Sequence, residues 1–241
     1  MPPGAPPAVL SDAHRDYLNA HAIADGAIAA AGIWSDRAAI MFPWADNGLL
    51  TTQSRIWPEP EGGLPDGTPK YRWEPGHPLH LAAWRPLEGL PPDAPVIVAE
   101  GTKQSLAVAS WAPPEYAVYG MAGCDGWRDL SAAGLHRFAG HRVIIMLDAD
   151  AGDNLNVYEA GEGLAAELET EDAIPGFVPS PAWGPYEPNC ACDAPSIWTN
   201  SASAGRSARD AVILSGVARP SRDPERDSAA VVSEVLMSFA G

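Results

Sequence analysis

Two short apolar runs organise the middle of this chain. Val96 to Ala99 (VIVA) and Val143 to Leu147 (VIIML) are rich in Val and Ile and unbroken by charge. Such runs suit strands buried on both faces of a parallel sheet. Between them the pattern predicts a helix from about Thr102 to Ser110, a strand at Tyr116 to Tyr119 and a helix from Trp127 to Phe138. A further helix is predicted at Asn156 to Leu168, and IPGFVPSP from Ile174 reads as one more strand. Strands alternating with helices imply parallel βαβ units.

Upstream, the periodicity changes. Ser11 has the chemistry of an N-cap, and Tyr17, Leu18, Ala22 and Ile23 recur at helical spacing through a single helical region that Gly32 ends. Ala38 to Leu81 reads as a small antiparallel β unit with turns at Asp46-Asn47-Gly48 and Leu64-Pro65-Asp66-Gly67, and Pro86 to Pro95 as a linker. The expected organisation is a Pro- and Ala-rich disordered lead at 1–10, an α+β subdomain at 11–90 and an α/β domain at 91–180. Residues 181–241 are weakly patterned, with a last helix predicted from Ser228 to Phe239.

The formal net charge of −16, from 15 Lys and Arg against 31 Asp and Glu, argues against tight sequence-independent duplex binding, whose affinity comes mostly from cations on phosphates. Nucleic-acid contact would have to be local, metal-mediated or assisted by a partner. The candidate cations Arg55, Lys70, Arg72 and Arg85 are interleaved with Trp57, Tyr71, Trp73 and Trp84, which either stack bases of a single strand or pack inside a small sheet. Three cysteines make no disulfide framework, so a reducing compartment is expected. Cys190 and Cys192 are either half of a zinc site or unpaired thiols. No run approaches membrane-spanning length, and a cytoplasmic location is expected.

The chemistry lies where the apolar runs end. Glu100 follows the first, and Asp148 and Asp150 follow the second. Acids there reach the carboxyl edge of the sheet, where open α/β folds bind ligands. Gathered carboxylates repel unless a cation joins them, and hard oxygen donors suit Mg²⁺, or Mn²⁺, rather than zinc. Asp148 and Asp150 would hold the ion, with Glu100 either completing its shell or acting as general acid/base. Gly101 permits close approach of a phosphate to the helix start, and Lys103 in the first turn either pairs with phosphate or acid or faces solvent. In GMAGCDGWRD, Gly120, Gly123 and Gly126 suggest close backbone approach, while Asp125 and Arg128 would line the cleft mouth. Asp153 and Asn154 either support the metal ligands or cap the next helix. Serine-hydrolase, zinc-protease and P-loop motifs are absent from the sequence.

With Glu100-Gly101 after one strand and Asp148-Ala149-Asp150 after a later one, the chain resembles the Toprim family, the catalytic domain of DnaG-type primases, topoisomerases and some nucleases. Phe42-Pro43, Asp46, Gly48, Arg55 and Lys70-Tyr71 resemble the segment preceding Toprim in DnaG-type primases. Ser11 to Leu168 is similar to the Toprim-like domains of phage, plasmid and integrated-element replication proteins, which carry a Lys where Lys103 stands. Primases carry an acid where this chain has Gln104, and Asp210 is the nearest counterpart of a further acidic motif. The resemblance implies an α/β, Rossmann-like sheet, mainly parallel and flanked by helices, preceded by a small primase-like α+β subdomain. It implies Mg²⁺-dependent nucleotidyl transfer in mobile-element DNA replication, with Glu100, Asp148, Asp150 and Lys103 catalytic. Gly101, Arg55, Lys70, Arg72 and Arg128 would contact nucleic acid or phosphate. The expected partners are single-stranded DNA or RNA, nucleotides and a helicase or other replication protein. A Mg²⁺-dependent nuclease and a non-catalytic module that binds nucleic acid or docks a helicase are the alternatives.

Overall fold

The computed structural model describes residues 9–61, 63–65, 67–76, 79–128, 130, 132–147 and 155–178. The positions of Asp148, Asp150, Asp153, Asn154, Cys190, Cys192, Asp210 and the helix expected at Ser228 to Phe239 lie outside the described residues.

The chain forms a mixed α/β structure with two sheets. Helices α1 (Asp12–Asn19) and α2 (Asp25–Ala31) precede an antiparallel sheet of β1 (Trp34–Asp36), β2 (Ala39–Asp46), β3 (Leu49–Ile56) and β4 (Tyr71–Trp73) in sequential order. The second sheet contains β5 (Ala82–Arg85), β6 (Val96–Glu100), β7 (Ala117–Met121), β8 (Arg142–Met146) and β9 (Ile174–Val178). Helices α3 (Thr102–Trp111), α4 (Ala132–His136) and α5 (Leu155–Thr170) link its parallel strands.

In the second sheet the order is β5-β7-β6-β8-β9, parallel throughout except for β5, which runs antiparallel to β7 with a bulge between Ala83 and Arg85. From β6 the chain steps one way to β7, then back past β6 to β8. Right-handed crossovers then place the connecting helices on opposite faces. The two-residue period of β6 sends Val96 and Val98 into one core with Leu135, Phe138, Val157, Leu164 and Leu168. Ile97 and Ala99 enter the other, with Val108 and Ala112 of α3. Covering on both faces is what the unbroken apolar runs called for.

The first sheet packs its inner face against α1, α2 and α3. Ile40, Phe42 and Trp44 on β2 are fully buried, with Tyr17, Leu18, Ile28, Ala82 and Leu106 in the same cluster. The Trp residues serve this core: Trp44 meets Trp73 edge-on at 4.7 Å and Trp84 at 5.9 Å.

Four features differ from the sequence pattern. The region after Ser11 is two helices, broken where Ala22 takes φ 59°. The break is fixed from a distance: Trp111 donates to the Ala22 carbonyl at 2.6 Å, and the Ala24 amide donates to Ser110 at 3.0 Å. The helix expected from Trp127 begins only at Ala132, because the amides of Gly126, Arg128 and Leu130 bond three residues back in successive turns. Neither the short β1 nor β5 was anticipated, and β5, between the expected β unit and the linker, joins the second sheet.

A buried ion pair fastens the two sheets together. Arg137 donates through both terminal nitrogens to Asp46 at 2.7 Å, with side-chain exposures of only 16% and 8%. Its guanidinium also lies over the rings of Tyr119 and Phe138, at 4.8 and 5.1 Å. Removing one member strands the other charge in a dry interface. Asp46→Ala is expected to cost roughly 3–5 kcal/mol in urea denaturation, with an Asp46→Leu/Arg137→Met pair recovering most of it.

Candidate functional site at the carboxyl edge of the parallel sheet

Strand order locates the site before any side chain is considered. The order in which strands are added changes direction between the parallel β6 and β8, and in open α/β sheets the crevice at such a switch point, outside the carboxyl ends, is where ligands bind. Glu100 is the last residue of β6, half-buried and level with Met121 of β7. Beside it Ala99 pairs with Met146 of β8, and the buried Leu147 is the last described residue before Asp148.

The turn after Glu100 is held tightly. Gly101 has φ 76° and ψ 151°, a region open essentially to glycine alone. Its amide donates to the Met121 carbonyl at 2.8 Å, and its carbonyl accepts from the Ser105 amide at 3.1 Å and hydroxyl at 2.6 Å. Trp84 in turn donates to Ser105 at 2.8 Å. Gly120 makes room for this pair, since a Cβ there would fall 2.6 Å from Ser105 Oγ. Thr102, the first residue of α3, donates its hydroxyl to Gln53 of β3. Met121 also accepts from the Gly123 amide at 2.9 Å, so one carbonyl anchors the turns that follow β6 and β7.

Cys124 lies in the second of these loops. Burial raises its thiol pKa, and the nearby carboxylates of Glu100 and Asp125 raise it further. Asp125 also accepts from Arg128 Nε at 2.6 Å, holding that exposed guanidinium 4.7 Å over the Trp127 ring.

The remaining cations divide. Arg55 is buried between Tyr17 and Tyr71, with its guanidinium 5.5 and 5.1 Å from their centroids, and pairs with Glu59 at 3.1 Å. Lys103 extends over the same Tyr17 ring at 5.4 Å. The structure therefore brings Arg55 and Lys103 together on α1, a grouping the separate motifs did not reveal. His21 sits beside them: burial lowers its pKa, its bond to the Tyr17 carbonyl offsets part of this, and Lys103 and Arg55 add to the lowering. Lys70, just before β4, and Arg72, in its middle, are exposed. Arg85 is used elsewhere, closing the far end of α3 with bonds to the carbonyls of Ala109, Ala112, Pro113 and Tyr116 at 2.6–3.2 Å. Gln53 escaped the sequence reading, although polar residues at alternate positions 51, 53 and 55 of a strand were a visible signal; Tyr17 figures there only as an apolar position of the first helix.

Among the described residues no group of three or more His, Cys, Asp or Glu is placed to hold a metal ion, and no helix is long and apolar enough to cross a membrane.

Together these features define a mixed α/β protein of primase-like fold. The chain is similar to the crystal structure of the Aquifex aeolicus primase (zinc-binding and RNA polymerase domains), with a TM-score of 0.50 and 13% sequence identity over 72% of this chain and 51% of that one. The chain thus spans about half the length of the primase chain it matches. No protein-family model and no curated protein sequence matches it.

Gly101→Ala is expected to lose about 1–3 kcal/mol, because the backbone conformation is costly for any side chain and Gln104 would have to move away; urea denaturation measures this. The raised Cys124 pKa means less thiolate at a given pH, so alkylation of Cys124 at pH 8 should be slower than that of an exposed thiol. Glu100→Gln, by removing a negative neighbour, should speed it, as followed by peptide mass spectrometry.

Proposed function

We propose that this protein is a Toprim-type, primase-like nucleotidyltransferase of mobile-element DNA replication, working in the cytoplasm on single-stranded nucleic acid with Mg²⁺ or Mn²⁺. One observation carries the reading: Glu100 ends the strand beside the switch point, and the neighbouring strand β8 runs directly toward Asp148-Ala149-Asp150, within a primase-like fold. The donor chemistry fits the ion, since all three candidate ligands are carboxylates and hard divalent cations prefer oxygen.

When bound, the ion would neutralise charge on the reacting phosphate oxygens. The chain's residues position the rest. Asp148 and Asp150 would hold the ion, and Glu100 would complete its shell or take the proton of the attacking hydroxyl. Gly101 keeps the start of α3 free of a Cβ, so a phosphate can approach closely. Lys103 stands in that first turn, and Arg128, steadied by Asp125 and Trp127, offers a guanidinium at the adjoining loop. Lys70 and Arg72, exposed just before and on β4, would guide the backbone of a single strand, and Arg55 would act through its packed cluster rather than from the surface. A local set of contacts of this kind is compatible with an acidic chain, and a helicase or other replication protein would supply the remaining affinity.

Asp148→Asn tests the reading. Wild-type protein should bind Mg²⁺ or Mn²⁺ in calorimetry and incorporate nucleotides on a single-stranded template. The variant should keep its circular dichroism but lose metal binding and at least about a hundredfold in rate, as loss of a charge-stabilising group does. An unchanged rate contradicts it. Cleavage of labelled strands without synthesis would instead identify a nuclease, and nucleic-acid or helicase binding that survives EDTA and Asp148→Asn a non-catalytic module.

A further inference from the structure

The inner face of β3 is unusual for a strand in a core. Thr51, Gln53 and Arg55 point inward and are buried, directly opposite the apolar Trp44, Phe42 and Ile40 of β2. A buried amide costs free energy unless bonded, so a leucine at position 53 would satisfy the packing more simply. Gln53 is 6% exposed and Thr102 3%, and the bond between them joins residues 49 positions apart. Thr102 stands two residues after Glu100, immediately beyond the Gly101 turn. The second sheet fixes this turn from one side through the Met121 carbonyl, and Gln53 is what reaches it from the first sheet.

We infer that Gln53 is a positioning residue: through Thr102 it sets the direction in which the Glu100 carboxylate leaves β6, making the first sheet a determinant of the acid site. This deepens the proposed function and rests on it for the consequence in metal binding, whereas the geometric claim concerns Glu100 alone. A side chain that orients a ligand without touching the ion influences affinity through that orientation, in the manner of the groups that support metal ligands elsewhere. Removing one partner leaves the other's buried polar group unpaired, so the melting temperature is read beside the Glu100 signal to separate a positioning role from a structural one.

The test compares wild type with Gln53→Leu, Thr102→Val and Thr102→Ser in the full chain. The readouts are the carbon-13 signal of the Glu100 carboxyl carbon, hydrogen exchange at Gly101 and Ser105, Mn²⁺ affinity by calorimetry, and the melting temperature. Gln53→Leu and Thr102→Val should each shift the Glu100 signal, speed exchange at Gly101 and weaken Mn²⁺ binding by about tenfold. Thr102→Ser, which keeps the hydroxyl, should behave as wild type. Should Gln53→Leu fail to fold, Thr102→Val, close in shape to threonine, decides the matter. An unmoved Glu100 signal in a folded variant overturns the inference. Wild-type protein that binds no Mn²⁺ would remove the proposed function, while the Glu100 signal still decides the positioning claim.

Discussion

Helix α3 must satisfy two sheets at once, and most of the architecture depends on that constraint. Its Val108 and Ala112 cover one face of the parallel sheet, while Leu106 belongs to the core of the first sheet. Polar contacts follow the same division. Ser105 bonds back to Gly101 and receives Trp84, Thr102 reaches Gln53, and Ser110 and Trp111 hold the chain between α1 and α2. Ten residues thus fix both the turn that carries Glu100 and the placement of the N-terminal unit. Apolar burial on two sides supplies the driving force, and the hydrogen bonds select one orientation out of those that burial alone would permit.

This double docking accounts for how an acidic protein can present a defined crevice. The order of strands changes direction at the neighbouring, parallel β6 and β8, and the turns after β6 and β7 share the Met121 carbonyl as an anchor. Cations in the described structure are arranged by function in the fold. Arg85 and Arg137 are consumed in holding helices and sheets together, and Arg55 is packed between two tyrosines. Lys70, Arg72 and Arg128 remain exposed.

Much of the parallel sheet was legible because its strands are local features: a run of Val and Ile between turn residues reports burial on both faces without reference to any partner. Glu100 could be placed at a strand end for the same reason. The break at Ala22 was not legible, since it depends on Trp111 and Ser110, nearly ninety positions away. Nor was β5, which only its pairing with β7 reveals as a strand of the second sheet. The helix expected at Trp127 failed because Asp125 and the flanking glycines stabilise turns that compete with helical bonding. Gln53 illustrates the deepest limit: its significance comes from a single bond to Thr102, and a polar residue on a strand ordinarily signals the solvent face.

The measurement that tests the central claim most directly is paramagnetic broadening by Mn²⁺, followed by nuclear magnetic resonance on the isotope-labelled chain. A built acid site at the switch point predicts that substoichiometric Mn²⁺ first erases the amide signals of Glu100, Gly101, Gly123 and Leu147, leaving those of Asp12, Asp36 and Glu169 sharp. Broadening spread evenly over exposed acids such as Asp12, Asp36 and Glu169, with Glu100 and Gly101 unaffected, would contradict it.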